Sequence, residues 1–166
     1  RVIGRPFFEF KNNSRIVIED NVTLNSSPMG YHVNMHSPVK LIADGKNSLI
    51  QIGKNTRIHG SCIHASDSIS IGSNCLIAAN CQIFDSNGHE LSFDNVELRI
   101  NTSSKPKKIV IENNVWIGIN SIILPGVKIG SGSIISAGSI VNCDIPPMCI
   151  AGGNPVKVLK SFEAKQ

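Results

Sequence analysis

A chain of 166 residues with a formal net charge of +4 fits one domain, and its charge is too mild and dispersed to specify nucleic acid. Aromatic residues supply only 5% of it, with a single Trp and a single Tyr, so an interior built on large rings is excluded. Five cysteines, an odd number, are unlike a disulfide framework and suit a reducing cytoplasm. No apolar run approaches the ~20 residues of a membrane span. No secretory leader is visible, although the chain opens at Arg1 rather than Met, which leaves open the removal of a leader or of further N-terminal sequence.

The first ordered signal is a weak six-residue step from Ile18 to Leu24, with Val22 two places before the second member. A break follows at about residues 26–48. Its segment Pro28-Met29-Gly30-Tyr31-His32-Val33-Asn34-Met35-His36 reads either as the wall of an acceptor pocket or as an irregular turn. The step resumes with Ile52, Ile58 and His64, shifts by one residue, and continues through Ile71, Ile77 and Ile83. A companion file of small residues lies two places earlier, in Thr56, Cys62, Cys75 and Cys81, which gives those cysteines a packing role. A second break, at about residues 84–108, reads as a long extruded loop. Beyond it the step is unbroken in Ile111, Ile117, Ile123, Ile129, Ile135 and Val141. The companions there are Ile109, Val115, Ser121, Val127, Ser133 and Ser139. A short tail closes the chain at about residues 146–166.

No α-helix and no simple strand buries one face at a period of six. Six residues with one inward aliphatic anchor make a short strand and a corner, and three such sides close a triangular coil. The predicted fold is therefore all-β, a parallel β-helix of hexapeptide repeats forming one domain over residues 1–166. A narrow prism also accounts for the shortage of aromatics, because Ile and Val fill it where rings would not.

Chemistry is expected where the coil breaks, since loops held by a stiff scaffold carry function disproportionately. Directly after Ile83 comes Phe84-Asp85-Ser86-Asn87-Gly88-His89-Glu90, and the loop ends in Lys105-Pro106-Lys107-Lys108. His89, at the root of this excursion, is placed to face a groove between coils, and a neutral imidazole accepts a proton near pH 7. Asp85 is close enough in sequence to orient that ring or to contact substrate.

Several segments now carry a resemblance: Ile111-Glu112-Asn113-Asn114-Val115-Trp116-Ile117-Gly118, Leu124-Pro125-Gly126-Val127-Lys128-Ile129-Gly130, Ser136-Ala137-Gly138-Ser139-Ile140-Val141, Asp144-Ile145-Pro146-Pro147 and Ala151-Gly152-Gly153-Asn154-Pro155. In this order and spacing they resemble the hexapeptide-repeat acetyltransferases of the maltose, galactoside and polysaccharide O-acetyltransferase type. The resemblance implies a left-handed coil, a homotrimer with active sites between subunits, and acetyl-CoA in a groove. His89 matches the catalytic histidine. Trp116, with Gly118 after it, matches the coil beside the coenzyme arm. Ile119 stands where relatives often have Ser, and its main-chain N–H retains the oxyanion role; Ala137 meets the pantetheine arm through its backbone. Asn142 replaces a common Thr, while Lys157 and Lys160 occupy basic positions near the coenzyme phosphates. On the acceptor side, Leu76 matches an apolar pocket residue and His59 replaces an Asn that touches sugar. The segment Ala65-Ser66-Asp67-Ser68 is one residue shorter than in galactoside-type relatives. These departures shift the expected acceptor from free maltose or galactoside to a glycan precursor or nucleotide-linked sugar.

Two other functions use the same scaffold. One is N-acetylation of an amino (nucleotide) sugar. The other is a metal hydratase resembling the γ-type carbonic anhydrases, for which His59 and His64 have a ligand spacing. No third His stands in register, so no metal is expected.

Overall fold

The computed structural model describes residues 1–163. Three sheets wrap one axis. The first runs through Val2–Ile3, Thr23–Asn25, Arg57–His59, Leu76–Ile77, Trp116–Ile117, Ile134–Ile135 and Cys149–Gly152, with Lys157–Ser161 added antiparallel at its end. The second comprises Phe7–Phe10, Lys40–Ala43, Cys62–Ala65, Gln82–Phe84, Ile122–Ile123 and Ile140–Val141. The third comprises Arg15–Ile18, Leu49–Ile52, Ser68–Ile71, Ile109–Ile111 and Lys128–Ile129. Successive strands visit the three sheets in turn and pair in parallel with the coil before and after. The coil is left-handed, opposite to the usual sense of parallel crossovers.

The anchors stack in three buried columns. Ile58, Ile77, Ile117 and Ile135 line the first sheet, Ile63, Ile83, Ile123 and Val141 the second, and Ile52, Ile71, Ile111 and Ile129 the third. Burying each aliphatic side chain is worth ~1.5–3 kcal/mol. Because a β-branched replacement keeps the same rotamer preference, Ile123→Val is expected to cost only ~0.5–1.5 kcal/mol in urea unfolding.

The companion file fills the corners and also satisfies them. Thr56 Oγ1 donates to the Gly72 carbonyl (2.8 Å), Ser121 Oγ to Gly118 (2.8 Å) and Ser133 Oγ to Pro146 (2.7 Å). The Cys75 and Cys81 thiols reach the Glu112 and Gly118 carbonyls at 3.1 and 3.2 Å. Burial raises the pKa of both thiols, which keeps the S–H donor in place. Asn55, Asn74, Asn114 and Asn120 turn corners at positive φ, the conformation Asn tolerates best among residues with a side chain.

Two details of the step differ from the sequence reading. The anchor after Ile58 is Ile63, one residue short, rather than His64. The His64 ring faces outward, with Nε2 3.0 Å from the Asp44 carboxylate. Correspondingly Ser61, not Cys62, takes the buried companion place, and its hydroxyl donates to the Ala78 carbonyl at 2.7 Å. The next side is lengthened by four-residue strands that turn Ile63, Ala65, Ile69 and Ile71 inward, so the residue lost at one corner is more than made up at the following one, and the net result is the one-residue shift seen in the sequence. Within the first break, Lys40–Ala43 forms a regular strand of the second sheet.

Candidate active site

A groove of about 600 Å³ runs along the outer face of the first sheet. Its floor is the column immediately before each anchor: Arg57, Leu76, Trp116 and Ile134, in lateral register. Side chains alternate along a strand, so burying the anchors turns these neighbours outward. Three interstrand steps separate Arg57 from Ile134, about 14 Å at ~4.8 Å each. Tyr31, His32 and Val33 stand along it, and the corner residues Ala78, Gly118, Ile119, Ser136 and Ala137 form the other rim. Residues 31–33 of the irregular 28–36 segment therefore wall this groove.

The wall is ordered by stacking. The Tyr31 ring lies 4.5 Å from that of His59 at 22°, and His32 approaches Tyr31 from 4.8 Å. His59 Nδ1 is 3.3 Å from the Asn25 side-chain amide. Burial, then the positive charge of Arg57 and of His32, holds the His59 pKa below its ordinary value. Such a group favours folding while neutral. The folded state then binds fewer protons than the unfolded chain, so stability falls as the pH drops from about 6.5 through the lowered pKa. His59→Gln is expected to lose less melting temperature than wild type between pH 7.5 and 5.5, as thermal unfolding at the two values will show.

At the rim, the backbone N–H groups of Ile119 and Ala137 have no partner among the described residues. This is a property of that corner. At the corner between the third and first sheets, the Ser73 N–H is held by Asn113 Oδ1 (2.8 Å) and the Ser131 N–H by Glu112 Oε2 (2.9 Å). A glycine is required at 118, because a Cβ there would sit 2.6 Å from the Ala137 nitrogen.

His59, Leu76, Trp116, Gly118, Ile119 and Ala137 thus come together in one groove. Asn142, Lys157 and Lys160 are exposed and lie outside it, with Lys160 Nζ 4.9 Å from the Phe162 ring centroid. Arg57 and Ile134 were missed by the sequence reading, although the position before each anchor was available to find them.

His89 does not line the groove of its own chain. Its loop leaves the second sheet and returns to the third, while the groove lies on the first. The ring is exposed, with Nδ1 3.1 Å from the Thr102 carbonyl. A carbonyl oxygen only accepts, so Nδ1 carries the proton and Nε2 is left as the free acceptor. Glu90 N–H donates to Thr102 Oγ1 (2.9 Å), Ser104 N–H to the Gly88 carbonyl (3.2 Å), and the Ser86 and Ser104 hydroxyls meet at 2.8 Å, closing the loop stem.

Asp85 corrects an expectation. Its carboxylate is fully buried and accepts the backbone N–H groups of Ser66 (2.7 Å), Asp67 (2.8 Å) and Ser68 (2.8 Å). Both oxygens are committed to the neighbouring turn, so Asp85 neither orients His89 nor offers an oxygen to substrate. The hydratase geometry also does not form. His59 stacks in the groove, His64 engages Asp44 on another sheet, and no cluster of three metal-ligating side chains occurs among the described residues.

Comparison with known proteins agrees with this geometry. Residues 108–143 match the family description "bacterial transferase hexapeptide (six repeats)", and residues 45–84 match "hexapeptide repeat of succinyl-transferase". Galactoside O-acetyltransferase of Escherichia coli K12 is 42% identical over 116 residues, which are 69% of this chain and 55% of that protein. The crystal structure of the polySia-specific acetyltransferase NeuO superposes with a TM-score of 0.74 at 30% identity, over 97% of this chain and 68% of that one. A hexapeptide-repeat acetyltransferase from Vibrio cholerae O1 biovar eltor, complexed with acetyl coenzyme A, gives a TM-score of 0.64 at 36% identity, over 69% and 61% of the two chains. The chain spans roughly half to two thirds of the length of these relatives.

Proposed function

The chain belongs to the hexapeptide-repeat acetyltransferases, and on that footing we propose that it transfers an acetyl group from acetyl-CoA to a hydroxyl of a sugar or surface-polysaccharide precursor. The observation that carries this reading is the groove itself. Two unused N–H donors, one coil apart, border an apolar strip of Leu76, Trp116 and Ile134. A pantetheine arm, which alternates amide carbonyls with methylenes, has the matching chemistry. Acetyl-CoA supplies an activated acyl carbon at the end of that arm.

The residues of the chain have separable tasks. Trp116 packs against the arm. Ala137 N–H donates to it. Ile119 N–H donates to the thioester oxygen as negative charge develops there, a contribution of ~2.7–4 kcal/mol for one such donor. His89 Nε2 removes the acceptor hydroxyl proton and returns it to the departing sulfur. Lys157 and Lys160 attract the coenzyme phosphates as point charges, and Asn142 offers a further polar contact. Leu76 and His59 form the acceptor side.

One chain presents His89 and the groove on different sheets, so a complete site needs two copies, which favours the homotrimer. Five free thiols suit a reducing cytoplasm, and no helix of the described residues is long and apolar enough to cross a membrane.

The experiment is release of free thiol from acetyl-CoA by the purified protein against matched hydroxy and amino sugars, nucleotide sugars and polysaccharide fragments. Selective release with a hydroxy acceptor supports the reading. Selective release with the amino partner assigns N-acetylation instead, and failure to bind acetyl-CoA removes the proposal.

A further inference from the structure

Arg57 is the one strong, permanent cation among the groove-lining residues, and nothing in the acetyl-transfer scheme uses it. It lies on the strand Arg57–His59, two residues before His59, so both side chains project from the same face of the first sheet. Among the described residues Arg57 has no ion pair and no side-chain hydrogen bond, and no Asp or Glu lines the groove. Close by stand His59 and His32, linked through the Tyr31 ring at 4.5 and 4.8 Å. This end therefore gathers one guanidinium and two imidazoles around an aromatic platform, with no counter-charge. The other end is apolar, through Trp116 and Ile134, and is assigned above to the coenzyme arm.

We propose that the Arg57 end of the groove recognises an oxyanion on the acceptor, so that the substrate class is an acidic sugar unit and Arg57 is a specificity-determining residue. This rests on the acetyltransferase reading and narrows its acceptor. A guanidinium left without a carboxylate partner forms a fork of parallel N–H donors, the geometry that carboxylate and phosphate accept bidentately. The sugar ring packs on the Tyr31–His59 stack while its anionic group meets Arg57. Leu76, the next residue of the column, separates this contact from Trp116 by one coil on each side. The anion is thereby held away from the reacting hydroxyl. The same chemistry comes from two sources, a ring carboxylate or the diphosphate of a nucleotide-linked sugar.

Equilibrium binding tests this without relying on turnover. Galacturonic acid, its methyl ester, galactose and UDP-galactose are titrated into wild type and into Arg57→Gln. The acid is expected to bind at least about 10-fold more tightly than its ester, since a hydrogen bond to a charged group is lost in the ester. That preference should disappear in Arg57→Gln, with the affinity for coenzyme A unchanged. Preference for UDP-galactose over galactose, again abolished in Arg57→Gln, would place the anion in the diphosphate. Equal binding of acid and ester, together with equal binding of UDP-galactose and galactose, overturns the proposal. So does an anion preference that survives in Arg57→Gln. Acetyl-CoA turnover measured alongside keeps the two ideas apart: transfer without charge preference sinks only the anion site, while charge preference without acetyl-CoA binding sinks only the transferase reading.

Discussion

Replacing His89 with alanine is expected to lower kcat by about 10²–10⁴-fold while leaving the KM for acetyl-CoA nearly unchanged. The Thr102 carbonyl holds Nδ1 in its protonated form, which leaves Nε2 as the nitrogen for the proposed base. Alanine removes that base but touches neither the groove nor the Ile119 and Ala137 donors, so coenzyme binding survives. The ring is exposed and makes one hydrogen bond to its own loop, so the fold should tolerate its loss. Steady-state kinetics with thiol detection provide the measurement. Undiminished turnover would remove His89 from the chemistry. A second experiment tests the shared site: co-expressing His89→Ala chains with Trp116→Ala chains should give more activity than either alone. An intact base and an intact groove then meet between different copies. No recovery would mean that each chain completes its own site.

Asp85→Ala is expected to destabilise the protein by about 3 kcal/mol or more, since each of three backbone N–H groups left without an acceptor costs ~1–3 kcal/mol when buried. Three backbone N–H groups of half-buried residues at 2.7–2.8 Å would lose a fully buried acceptor. Asp85→Asn keeps the shape but retains only one acceptor oxygen, so it should fall between alanine and wild type. The Asp85 main-chain carbonyl accepts the Lys107 N–H at 2.7 Å, which ties the start of the long loop to its end in all three proteins. Urea unfolding of the three proteins checks the order. Wild-type stability together with lost activity in Asp85→Ala would contradict the structural role and return the carboxylate to the chemistry.

The contrast between these two residues shows how far a linear reading reaches. Both stand in one short segment, both are polar and titratable, and both were expected at the site. His89 stays available for that role, because its loop holds the ring out in solvent with one nitrogen free. Asp85 loses it because the adjacent coil offers three N–H groups that only a buried carboxylate satisfies. Those donors belong to residues 66–68, nearly twenty positions away, and no local pattern announces the pairing.

Other outcomes divide along the same line. Coil architecture, its anchors from Ile111 to Val141 and the groove members Leu76, Trp116, Ile119 and Ala137 were all legible. Each follows from a repeat in which a residue's place in the coil sets its direction. The slip at Ile63 was hidden, because a short side followed by a long one spans the same distance from Ile58 to Ile71 as the regular side and one-residue shift read from the sequence. Arg57 was overlooked although it occupies the same column as Trp116; a charged residue in an apolar file is conspicuous only once the file is assembled. The Tyr31–His59 stack could not be read at all, since it joins a loop to a strand through space.

Periodic burial of one aliphatic residue in six is enough to specify the prism, because a repeating local preference has a single stacked solution that buries every anchor. Which polar groups remain available for chemistry was settled by contacts between distant segments. Hydrogen-bond satisfaction and charge proximity depend on neighbours in space, and the order of residues along the chain does not name those neighbours.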